Sequence, residues 1–136
     1  MGAFRRVPNE ASRALTVVPV GEELTEMATQ STTDATFTTI WSYTLATDEF
    51  FSADAAVMGC RLGNTQGAKY TTAVLVRDNS GVTTVVGSVN YVAIEDDATW
   101  SVRWNLSGAT IRLQVQGAAA VNIDWFARID FLAQIV

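Results

Sequence analysis

From Ala98 to Phe131 the chain reads ATWSVRWNLSGATIRLQVQGAAAVNIDWFARIDF, and apolar and polar residues alternate along it with few interruptions. A two-residue period places successive side chains on opposite faces of an extended strand, whereas a helix packed on one side needs a period near 3.6. The same texture begins at Thr36. Thr36–Leu45, rich in β-branched and aromatic residues, predicts a first strand, and Phe50–Leu62 a second. A Gly/Asn loop, GNTQG, leads to a strand over Lys69–Arg77. Asp78–Gly81, DNSG, is a hairpin signal ahead of Val82–Ile94. After the acidic loop Glu95–Asp97 come Thr99–Leu106, Ala109–Gln116 and Val121–Gln134. Seven strands broken at short intervals by turns predict an all-β antiparallel sandwich, jelly-roll-like, over residues 35–136. No stretch carries an amphipathic helical pattern.

Residues 1–34 differ. Both prolines, Pro8 and Pro19, and three of the nine cationic residues fall here, and neither period is strong. This zone reads as an extended N-terminal arm.

The pattern also allows a register to be written. A loop at Ser107-Gly108 sets Trp104 opposite Ile111, Val102 opposite Leu113 and Trp100 opposite Val115, an apolar face. The other face then holds Arg103 opposite Arg112, which needs a nearby acid. A three-residue loop Gly117–Ala119 would supply it by folding the last strand back, with Arg112 facing Asp124. Trp100, Trp104 and Trp125 all fall on the inward phase. Phe126, if it faces out, is a contact residue.

Charge and composition narrow the functional classes. The net charge is −5, and the basic side is eight arginines and Lys69 without a run of them, which argues against nucleic acid as a partner. Nothing approaches the ~20 apolar residues of a membrane-spanning helix, and no signal peptide is visible, so the expectation is a soluble protein made in the cytoplasm. Cys60 has no second cysteine for an intrachain disulfide and reads as a small core hydrophobe.

Histidine is absent, which removes the commonest general base and metal ligand and every Ser-His-Asp or Cys-His arrangement. No phosphate-cradling glycine motif is present. The expectation is no cofactor, no metal and no catalysis. Carboxylates remain: Glu95, Asp96 and Asp97 on one loop, and Asp48 with Glu49 on another. Paired carboxylates hydrolyse glycosides or hold calcium, but consecutive acids between strands more often form a solvated turn. Trp41, Tyr43, Trp100, Trp104 and Trp125 are the candidates for stacking on sugars, and core packing is the plainer reading.

The stretches QSTTDATFTTIWSYTLATDEFF and VVGSVNYVAIEDDATWSVRWNLSGATIRLQVQGAAAVNIDWFARIDF resemble a β-sandwich module of tailed bacteriophages, found at fibre tips and in small capsid-decorating proteins. The features that carry the resemblance are a threonine-rich first strand after Asp34-Ala35-Thr36, an acidic loop before a tryptophan strand, SGATIRLQVQG, and a closing Asn122 to Trp125. Phe37 stands where that pattern would have proline. The resemblance covers about residues 30 to 134 and implies a virion structural protein, commonly a homotrimer, without catalytic residues. With little besides an arm ahead of the body, the expectation is a decoration (cement) protein on the capsid surface. It would bind the major capsid protein through Phe4, Arg5, Arg6, Val7, Leu15, Val17 and Val18 of the arm. The alternatives are a receptor-binding knob for a host surface glycan and, last, a small carboxylate-dependent hydrolase using Glu95 or Asp97.

Overall fold

The computed structural model describes residues 24–63 and 66–136, and within them the chain forms eight strands and no helix. They are β1 (Leu24–Thr32), β2 (Thr38–Thr44), β3 (Glu49–Arg61), β4 (Gly67–Asn79), β5 (Val82–Glu95), β6 (Ser101–Ser107), β7 (Thr110–Gln116) and β8 (Ile123–Ile135). They build two antiparallel sheets, one of five strands in the order β1-β8-β3-β4-β5 and one of three in the order β2-β7-β6. The fold is an all-β sandwich, as the alternation requires. β3, β4 and β5 form a meander inside one sheet, so the division is five and three.

Seven of the strands coincide with the sequence expectation to within a few residues. The eighth, β1, falls inside the stretch read as arm, and it pairs with β8 along its whole length, from Leu24 opposite Phe131 to Thr32 opposite Ile123. Its inward-phase residues include Glu26 and Gln30, and that polarity hides a strand from any hydrophobic pattern. Both have work to do at the sandwich edge: the Trp41 indole N–H donates to Glu26 at 2.8 Å, and the Gln30 amide donates to the Thr39 carbonyl at 3.2 Å. These bonds join β1 of one sheet to β2 of the other.

Turn chemistry is as the residues dictate. Asn79 pairs with Val82 across Ser80-Gly81, and both central residues have positive φ (54° and 91°), the backbone of a type I′ turn whose twist suits a hairpin. The β6–β7 hairpin turns at Gly108-Ala109 with φ of 61° at Gly108, so Ser107 pairs with Thr110. That register is two residues from the one expected. Each side chain keeps its face while every partner changes: Trp104 faces Leu113, Val102 faces Val115, Arg103 faces Gln114 and Arg112 faces Asn105. The expected Arg103–Arg112 opposition does not occur.

The expected pairing of the last two strands is also overturned. β7 and β8 lie in different sheets, β7 between β2 and β6 and β8 between β1 and β3. Asp124 therefore never meets Arg112; its carboxylate accepts from the Ser31 hydroxyl at 2.8 Å. Arg103 instead donates to Gln114 and lies 3.8 Å above the Phe37 ring, which gives Phe37 a place at the start of β2.

The core holds two aromatic groups. Trp41, Tyr43, Phe51 and Phe131 pack at one end, with Tyr43 and Phe51 stacked 4.6 Å apart, and Trp104 meets Trp41 edge-on. Trp100, Trp125 and Tyr70 pack at the other. Trp125 is wholly buried and lies over Gly59, its direct cross-strand partner, where a methyl group would come within 2.7 Å of the ring. Gly59 is thus a floor that only glycine provides. All four tryptophans belong to the core or pack against it, Trp104 being half-buried, so none is available for sugar stacking.

Candidate interaction surface

The acidic residues come first, because catalysis would depend on them. On the Glu95–Asp97 loop each carboxylate has a separate structural partner. Glu95 accepts from the Tyr70 hydroxyl, Asp96 from the Gly67 N–H at 2.8 Å, and Asp97 from both the N–H and the hydroxyl of Thr99. Burial, followed by the hydrogen bond to Glu95, pushes the Tyr70 phenol far above its ordinary value. The Thr99 bonds hold Asp97 below the usual carboxylate range. Two of the three acids thus fasten the loop to β4 and the third closes the loop on itself, each on a different partner.

The other acidic pair behaves likewise. Glu49 is 1% exposed; it accepts from the Tyr43 hydroxyl at 2.8 Å and the Ala46 N–H at 2.9 Å. A buried carboxylate needs such donors. Asp48 accepts from the Ser80 N–H, while Asp78, also buried, accepts from the N–H groups of Asp48 and Gly81 and from the Thr83 hydroxyl. The Asp48 N–H, before the smaller effects of Thr83 and Gly81, draws the Asp78 carboxyl below its ordinary value. This knot ties the turn before β3 to the β4–β5 hairpin. Among the described residues no three His, Cys, Asp or Glu side chains gather as a metal site would need. Cys60 is half-buried on the outward phase of β3, where the sequence reading had it in the core.

What remains is surface, and the two sheets differ. Outward residues of the three-stranded sheet form polar rungs: Thr44 bonds Thr110, Arg112 donates to Asn105, and Arg103 donates to Gln114, which donates to Thr39. Among the described residues, fourteen large hydrophobic side chains are exposed, and not one lies on that sheet. All belong to strands of the five-stranded sheet or to residues directly following β3 and β8.

Across the outer face of the larger sheet the register sets these residues in rows. Phe126, Met58, Lys69 and Ile94 align across β8, β3, β4 and β5. The next row inward is Met27, Arg128, Ala56 and Thr71. Together Met27, Met58, Phe126, Lys69 and Arg128 line a shallow apolar groove with two cations beside it. Met27 is 72% exposed and Phe126 40%. The following row is polar: Asp130 stands directly opposite Asp54, an unfavourable pairing relieved by the Thr25 hydroxyl on Asp130, the Tyr91 hydroxyl on Asp54, and Arg128 at 3.6 Å from Asp130. That hydrogen bond to Asp54 raises the Tyr91 phenol above its ordinary value.

The sequence reading left the face of Phe126 open and made it a contact residue only if it faced out; the structure has it facing out. Of the two tyrosines in β4 and β5, Tyr70 is buried and Tyr91 exposed. The arm residues Phe4, Arg5, Arg6, Val7, Leu15, Val17 and Val18 lie outside the described residues. Sequence reasoning had the extent of β5 but missed the exposure of its apolar side chains and of Met27 and Met58. The available signal was the run Val82–Ile94, which is apolar in both phases and carries no charge.

No family model matches the chain, and no curated protein matches its sequence. Solved structures that align with it include the tailspike protein of Acinetobacter baumannii phage AM24, at 11% identity over 99% of this chain and 29% of that one, with a TM-score of 0.47. Another is the tailspike protein gp49 of Acinetobacter baumannii bacteriophage Fri1, a capsular polysaccharide depolymerase, at 12% identity over 95% of this chain and 23% of that one, with a TM-score of 0.46. The chain spans about a quarter of the length of these structures.

Proposed function

We propose that this chain is a bacteriophage virion protein that acts by adhesion, decorating the capsid by binding the major capsid protein through the outer side of its five-stranded sheet. The sequence resemblance supplies the phage setting. One observation carries the mode of action: among the described residues the fourteen exposed large hydrophobics all sit on the larger sheet or its immediate extensions, while the outward side of the smaller sheet is built of polar rungs. Apolar area concentrated on one side of a domain marks an interaction surface. In this reading the carboxylates hold turns together and the chain performs no catalysis of its own. Many modest contacts repeated over a lattice stabilise a shell without a tight single interface.

The receptor-binding knob remains as a second reading because of the row Thr25–Asp130–Asp54–Tyr91. Hydroxyl and carboxylate groups beside the exposed ring of Tyr91 suit the polar and apolar faces of a sugar. Quantitative mass spectrometry of purified particles, joined to labelling by electron microscopy, tests both. Many copies over the head support decoration. A few copies at the tail, with binding on a glycan array, support the knob. Absence from the particle overturns both.

A further inference from the structure

We propose that copies of this chain associate with one another through the β5 edge of the five-stranded sheet. β5 closes that sheet, pairs only with β4, and has no buried residue along its fourteen. Among the described residues, no strand pairs with the outer edge of β5. Val82, Val86, Val89, Tyr91 and Ile94 are each at least half exposed. Proteins that remain monomeric blunt such an edge with charged side chains, proline, bulges or shortness. β5 is long and has neither charge nor proline from Val82 to Ile94. It does carry two bulges, at Val86 and Tyr91, but each presents an exposed apolar side chain where a protected edge would carry a charge.

The opposite edge of the same sheet is built otherwise. β1 has nine residues, exposes Thr25, Thr29 and Ser31 with a single large hydrophobic, Met27, and is fastened to β2 by the Glu26 and Gln30 bonds. At the β5 flank the neighbour is β6, the free edge of the smaller sheet, linked by the Asn90 amide donating to the Val102 carbonyl at 3.0 Å.

Extent and charge both favour a second copy as the occupant. The fourteen residues of β5 and seven of β6 together reach the lower end of the ~20–30 residues a side in a standard protein interface. A chain of net charge −5 repels its own copies, so self-association requires a neutral contact strip, and β5 is the neutral strip. Glu95 is held by Tyr70 and Asp78 by the hairpin turn, and the exposed Asp96 lies just past the end of the strand, bonded to the Gly67 N–H. Two β5 edges meeting alike close a dimer, and unlike meeting closes a ring; both bury this flank.

The inference goes beyond the virion reading and stands or falls without reference to any particle. The test is sedimentation of the whole chain over a concentration series, beside Val86→Lys/Val89→Lys and a control on the other edge, Thr29→Lys. The wild type and Thr29→Lys should sediment as assemblies with micromolar or tighter affinity, and the double variant as a single chain with an unchanged far-ultraviolet spectrum. A wild type that stays a single chain throughout, or a double variant that assembles like the wild type, overturns the proposal. Amide exchange on the wild type gives an answer free of folding defects: concentrating the protein should slow exchange in β5 and leave β1 unchanged, and equal change in both edges contradicts it.

Discussion

The two sheets of this sandwich share one core and present opposite exteriors. On the three-stranded sheet, Arg103, Gln114 and Thr39 form one continuous rung, and Arg112 and Asn105 another. On the five-stranded sheet the corresponding positions hold Met27, Met58, Phe126, Leu75 and Leu132. Both faces are outward by the same two-residue period, so folding alone does not require this difference. A face that serves only to cover a core gains solubility from polar rungs, and exposed methionine and phenylalanine add nothing to the stability of the isolated chain. The proposal of an adhesive five-stranded side rests on this asymmetry.

The largest expected effect comes from the core that both sheets share. Trp125→Ala should cost about 3–5 kcal/mol in denaturant unfolding, because the ring fills the space over Gly59 and its N–H holds Thr32 of β1 at 2.9 Å. Gly59→Ala attacks the same contact from below and should cost about 1–3 kcal/mol through overpacking.

The next pair separates the two exteriors. Gln114→Ala removes the buried centre of a polar rung and leaves Arg103 and Thr39 without their shared partner, for an expected loss of about 1–2 kcal/mol. Phe126→Ser on the larger sheet should change chemical stability by no more than about 0.5 kcal/mol while weakening attachment to particles. If the two substitutions exchanged effects, the assignment of a structural face and a working face would be reversed.

Acid provides the smallest effect. The folded state holds the Asp78 carboxyl below its ordinary value, so its contribution to stability is present above the unfolded value near 3.8 and is lost as pH falls through the lower folded one. Amide exchange in the β4–β5 hairpin should therefore quicken on acidification, and Asp78→Asn should flatten that dependence. No such change is expected in the β6–β7 hairpin, whose turn rests on Gly108.

Much of this architecture is legible from the sequence, and the failures have physical causes. Seven strands, both hairpins and the inward tryptophans follow from period and turn chemistry, which are local. The β6–β7 register slipped by two because such a shift preserves every face, so burial cannot distinguish the alternatives; the exact turn residues decide it. The pairing of β7 with β8 failed because adjacency in sequence does not reveal a crossing between sheets, and charge matching between Arg112 and Asp124 offered a false confirmation. β1 was hidden by Glu26 and Gln30, whose partners come from the opposite sheet. The working surface was the least legible part. A pattern of alternation marks which residues share a face without stating whether another element covers it.

The most direct test of a five-stranded working side is hydroxyl-radical footprinting of the chain free and on the particle. Met27, Met58 and Phe126 should lose reactivity on the particle, while Phe37 beside the three-stranded sheet keeps it. Undiminished labelling of the two methionines and Phe126, with protection at Phe37, would contradict the account.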